Sequence, residues 1–207
     1  MNKGHSSGPL IDCDAAAALM EALTDLVVRA GDAILAVNRA AMRIDGKLDG
    51  SPVTEADLAA DRVICDGLAL LAPETPALSE ERVQLAKPPY DGSFFLVDPL
   101  DGTREFVAGR GEFTVNLALV TGGPPLLGII GAPALGLIWR GLVGRGAERL
   151  ATGTVQAEPI HTRPIPQHGD PWIVVRGTRF PPGTPGPSGL NRPHGFRGAA
   201  TLSRLLA

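Results

Sequence analysis

A chain of 207 residues with 44% hydrophobic and 20% charged residues is long enough to bury a sizeable core, as one large domain or two small ones. Its net charge of -3 argues against a general nucleic-acid binder. Two widely separated cysteines, Cys13 and Cys65, exclude a disulfide framework and a zinc pattern, which fits a reducing cytoplasm.

Residues 1–13 are polar, lack the apolar core of a signal peptide, and are expected to form a flexible N-terminus. From Asp14 to Ala41, apolar residues recur at three- and four-residue steps (Leu19, Leu23, Leu26, Val27, Ala30, Ile34, Val37), which predicts an amphipathic helix with Asp12 or Asp14 near its cap. "RIDGKLDGSP" is rich in turn formers and predicts an exposed loop or hairpin. A second helix is expected from near Thr54 to just before Pro73. "TPALSEE" predicts a short strand ending in acids, and "SFFLVDPLDGT" a buried one.

No residue between Phe113 and Trp139 is charged, yet "GGPP" at 122–125, Gly128 and "GAP" at 131–133 break the apolar run. A spanning helix needs about 20 consecutive apolar residues. Antiparallel strands with a hairpin turn explain those breaks better. No spanning segment is therefore expected, with peripheral association at the inner membrane left open. Two helices followed by a sheet make an α+β layered domain. After "DPWIVV" (170–175), Gly and Pro supply 11 of the last 32 residues, five are Arg, and no Asp or Glu follows Asp170. Such a composition predicts a disordered tail over 176–207.

Acids stand at the ends of several predicted elements: Asp57, Glu80 with Glu81, Asp98 and Asp101. Two carboxylates about 4 Å apart repel by roughly 4 kcal/mol at an effective dielectric near 20, so converging them requires a cation or a shared proton. Asp oxygens with a backbone carbonyl suit hard Mg²⁺. Pro99 stiffens the turn between Asp98 and Asp101, so that the Leu100 carbonyl can point with the acids. "DGTREF" can start a helix at Gly102–Thr103, whose amides would face an anion. Each signal has a plainer reading. "TEAD" at 54–57 also fits a capping box, "SEE" at 79–81 a solvated turn, and D-x-x-D a pair of solvated strand-end acids.

Taken in order, "SPVTEAD", "LSEE", "DPLDGTREF" and "GEFTVNLAL" resemble the inositol monophosphatase superfamily of Mg²⁺-dependent, lithium-sensitive phosphatases, over about residues 15 to 175. Glu105-Phe106 after D-G-T, where inositol monophosphatases usually have Asn-Phe, is similar to the 3'(2'),5'-bisphosphate nucleotidase branch. The resemblance implies a layered α/β/α/β/α sandwich over 14–175. It implies that Glu80, Asp98 and the Leu100 carbonyl hold a first Mg²⁺, and Asp98 and Asp101 a second. Asp57 with Thr103 would orient and deprotonate the attacking water, and Glu80 together with Leu100, Asp101, Gly102 and Thr103 would contact the substrate. The implied reaction converts 3'-phosphoadenosine 5'-phosphate to AMP, a clearing step in sulfate assimilation, with inositol 1-phosphate or a sugar phosphate as the alternative substrate and a catalytically inactive fragment as the alternative outcome.

Family members continue further and carry a Trp-Asp motif whose Asp completes the second metal site. Here Trp172 has no Asp behind it. Much of the C-terminal half is therefore expected to be missing, through a frame change or other disruption near residue 175, and turnover by this chain is expected to be impaired.

Overall fold

The computed structural model describes residues 10–46, 52–85 and 92–162. Helix α1 (Cys13–Ala36) begins at Asp12, whose carboxylate accepts the Ala15 amide at 2.8 Å. It stops at Ala36, not at Ala41, because the Asn38 side chain accepts the Ala40 amide at 3.1 Å and Ala41 N–H turns back to the Asn38 carbonyl. An Asn that hydrogen-bonds its own neighbourhood competes with the helical ladder. Strands β1 (Ile44–Gly46) and β2 (Pro52–Thr54) form a separate antiparallel ribbon, with Ile44 opposite Thr54.

Helix α2 (Glu55–Leu71) has Thr54 as its N-cap and a full capping box with Asp57. Its Ala72 cap precedes Pro73, which cannot continue a helix. Strand β3 (Ala77–Ser79) runs parallel to β4 (Ser93–Asp101), and the acids predicted to end β3 instead open a 3₁₀ helix, Glu80–Leu85. After the short α3 (Thr103–Val107), the chain meanders through β5 (Thr114–Thr121), β6 (Pro125–Ala132), β7 (Leu137–Leu142), β8 (Gly146–Ala151) and β9 (Ala157–Ile160). Sheet order follows chain order from β3 to β9. The charge-free stretch is thus paired strands, and no helix among the described residues is long and apolar enough to cross a membrane.

Helices α1 and α2 cover one face of this seven-stranded sheet. Leu23, Leu26, Val27 and Ile34 of α1 and Ile64 and Leu68 of α2 pack there with Phe95, Val97, Leu117, Leu119 and Ile129. Each such side chain, fully buried, contributes about 1.5–3 kcal/mol. The helices meet at Gly67, where a Cβ would stand 2.2 Å from the Leu26 side chain. On the opposite face Leu96, Ala118 and Val120 form a smaller cluster, so β5 is buried on both sides. The fold is mixed α/β, with the helical pair and the sheet as the described layers.

The compact unit closes at His161. The segment 170–175, the expected domain edge near 175, the Arg/Gly/Pro-rich segment 176–207 and residues 1–9 of the expected flexible terminus lie outside the described residues.

Candidate active site

Asp57 sits in the first turn of α2 and is 1% exposed. Its Oδ2 accepts the Thr54 amide at 2.7 Å and the Thr54 hydroxyl at 2.6 Å. Its Oδ1 accepts the Thr103 hydroxyl at 3.0 Å. The capping residue thus spends one oxygen on the helix start while the other reaches across the fold to Thr103. The Thr103 hydroxyl also lies 3.2 Å from the Leu100 carbonyl, and its single proton can serve one acceptor at a time.

Asp98 and Asp101 owe their arrangement to an irregularity in β4. Asp98 is opposite Asn116 and Asp101 is opposite Thr114, so three steps on β4 match two on β5. Residues three apart on a regular strand point to opposite faces. The extra residue of a bulge turns both carboxylates to the face shared by Asn116 and Thr114, and Pro99, which has no amide hydrogen to lose, fits such a break. Asp98 is 4% exposed. On the other side Ser79, the last residue of β3, is paired with Val97, so Glu80 leaves that strand at the same end of the sheet where Asp98 follows Val97 on β4.

Sequence-distant groups at 57, 80, 98, 100, 101 and 103 are thus brought to one end of the sheet. Among the described residues, no three His, Cys, Asp or Glu side chains are gathered tightly enough to form a metal cage. Mg²⁺ does not require one, because it binds through one or two carboxylates and keeps several waters. The donor chemistry fits this ion: carboxylates, the Leu100 carbonyl, and the Thr114 hydroxyl, which is 2% exposed and finds no hydrogen-bond partner among the described residues.

Gly102 takes a left-handed conformation (φ +97°), and a Cβ there would stand 2.9 Å from the Glu112 carbonyl oxygen. Only glycine passes this turn without strain. α3 starts at Thr103 as predicted, but its five residues build little helix dipole. Phe106 anchors it by edge-to-face packing on Phe113 (5.3 Å, 80°), and the Arg39 guanidinium lies 5.6 Å from the Phe106 ring centre. Glu105 accepts from Arg110 Nη2 at 3.1 Å.

A cluster the sequence reading missed lies just behind Glu80. Asp61, 4% exposed on α2, accepts Ser79 Oγ at 2.5 Å and Arg82 Nε at 2.7 Å. That hydrogen bond raises the Arg82 pKa. Cys65 Sγ lies 3.4 Å from Asp61, and burial, aided by the Asp61 charge, pushes its thiol up to about 12. The legible signal was an acid inside an apolar helical stripe, between Ala60 and Ile64. The expected solvated turn at 79–81 is corrected accordingly, since Ser79 is 1% exposed.

A cleft of about 340 Å³ lies elsewhere, between α1 and strands β7 to β9. Its wall holds Arg140, which is 8% exposed and bonded by Glu148 (2.7 Å), Glu21 (2.8 Å) and Thr24 (3.1 Å). These bonds tie α1 to the sheet and leave little cationic capacity for a ligand.

Residues 16–171 match the Inositol monophosphatase family, and the chain belongs to it. It is 43% identical over 135 residues to the 3'(2'),5'-bisphosphate nucleotidase CysQ of Shigella flexneri, covering 61% of this chain and 53% of that one. It is structurally similar to an inositol monophosphatase from Zymomonas mobilis, with a TM-score of 0.57 and 34% identity over 73% of this chain and 55% of the other. CysQ from Bacteroides thetaiotaomicron gives a TM-score of 0.54 and 28% identity, covering 72% and 60%. The chain spans about half the length of the curated relatives it matches.

Proposed function

We propose that this chain carries the site of a Mg²⁺-dependent phosphomonoesterase of the 3'(2'),5'-bisphosphate nucleotidase type, acting on 3'-phosphoadenosine 5'-phosphate to give AMP and phosphate. The observation that carries the reading is the Asp57–Thr103 hydrogen bond, which joins the start of α2 to the D-G-T turn beside the Asp98/Asp101 bulge. Glu80, Asp98 and the Leu100 carbonyl would hold one Mg²⁺, and Asp98 with Asp101 a second. Bound there, the ions would supply water activation and charge stabilisation on the phosphoryl oxygens.

The chain's own groups do the rest. Thr103 donates to Asp57 Oδ1 or to Leu100 O, and the pair orients a water and receives its proton at the Asp57 carboxylate. The Gly102 turn lets the backbone approach the phosphate without a side chain in the way, with Glu80, Asp101 and Thr103 at its edge. The similarity to named nucleotidases supports the nucleotide bisphosphate as substrate. Similarity to the Zymomonas mobilis inositol monophosphatase favours a second reading, an inositol or sugar phosphate.

Phosphate release from 3'-phosphoadenosine 5'-phosphate, inositol 1-phosphate and a sugar phosphate in Mg²⁺ tests both. The expected result is preference for the nucleotide and loss of release in Asp98→Asn. Equal rates on all three would remove the nucleotide assignment, and turnover unaffected by Asp98→Asn would remove the site.

A further inference from the structure

The acids of the site rest on unequal supports. Asp98 and Asp101 are set by β4, and Asp57 by its capping box. Glu80 opens a 3₁₀ helix at the end of the three-residue edge strand β3. Short 3₁₀ segments have poorer hydrogen-bond geometry than α-helix and hold a side chain loosely by themselves.

Asp61 ties this turn to α2. One of its oxygens accepts Ser79 Oγ at 2.5 Å, and the other accepts Arg82 Nε at 2.7 Å. Ser79 Oγ in turn accepts the Glu81 amide at 3.3 Å. The residue before Glu80 and the residue two after it are therefore fastened to one buried carboxylate. Asp61 lies one helical turn beyond Asp57 on α2, a rise of about 6 Å. One helix thus carries the acid assigned to the water and clamps the turn that carries Glu80.

We propose that Asp61 is a positioning residue for Glu80, acting through Ser79 and Arg82. The inference rests on the metal role of Glu80 proposed above. A purely stabilising role explains the arrangement less well. A partly buried ion pair returns little net stability after desolvation, and the Arg82 side chain is 41% exposed. Bonds placed on both sides of one residue fix its direction.

Mn²⁺ titration of the full chain, followed by the electron-spin resonance of the free ion and accompanied by thermal melts, tests this without requiring turnover. Glu80→Gln, Ser79→Ala, Arg82→Met and Arg82→Lys are compared with the parent protein. The expected result is Mn²⁺ affinity about 10-fold or more weaker in Ser79→Ala and Arg82→Met with a cooperative melt retained, and recovery in Arg82→Lys. Should Ser79→Ala fail to fold, the more exposed Arg82→Met decides. The proposal is overturned if Glu80→Gln weakens Mn²⁺ binding while both clamp variants bind as the parent does and lose only melting temperature. If Glu80→Gln itself binds normally, the metal role of Glu80 falls and the positioning role falls with it, a result distinct from failure of the clamp alone.

Discussion

Asp57 and Thr103 are 46 positions apart and joined at 3.0 Å, so a helix cap and a turn after a buried strand form one hydrogen-bonded unit. Thr103→Val keeps the shape and removes only the hydroxyl. Its stability cost is expected near 1 kcal/mol, that of a single hydrogen bond. Phosphate release is expected to fall about 100-fold or more, the usual contribution of a positioned acid–base pair, with Thr103→Ser retaining most of it. Parallel melts and initial rates separate the two effects.

Gly102→Ala places a Cβ 2.9 Å from a backbone oxygen at a φ of +97°. A left-handed alanine costs about 1–2 kcal/mol before any clash. The turn is expected to shift, with a lower denaturation midpoint and weaker divalent-ion binding. A midpoint equal to the parent's would show that the turn tolerates a side chain.

At Gly67 two effects oppose each other. Alanine would gain about 1 kcal/mol of helix propensity, but its Cβ would stand 2.2 Å from Leu26, which is 3% exposed. Overpacking of a core typically costs 1–3 kcal/mol. Net destabilisation is expected, and urea unfolding of Gly67→Ala checks its sign.

Cys65 bears on alkaline stability. Burial raises its thiol from 9.0 to about 12, so the folded state favours the protonated form. A folded pKa above the unfolded one contributes stability that is whole below about 9 and is lost as pH climbs towards 12. Cys65→Ala is expected to flatten the fall in melting temperature across that window. A thiol reagent at pH 8 is expected to label partly exposed Cys13 and spare Cys65 until the protein unfolds.

Much of this architecture was legible because local chemistry agreed with the fold. Asp12, Thr54 and Pro73 mark helix ends, and the Gly/Pro breaks at 122–133 mark strands. β9 was not legible. "AEPI" lacks an apolar pattern, and among the described residues it is an edge strand, where a proline such as Pro159 is tolerated. Asp98 and Asp101 were visible as a pair, but their common face depends on a bulge that spacing does not reveal. Asp61 stood out locally as an acid in an apolar stripe, but its clamp partners lie 18 and 21 positions away, where no local pattern reveals them.

The β4 acids are proposed to form a seat for magnesium. Calorimetric titration of Mg²⁺ into the 207-residue protein and into Asp98→Asn tests it most directly. Saturable binding to the parent and at least about 10-fold weaker binding to the variant are expected, with both melting cooperatively. Equal binding by the two folded proteins would contradict it.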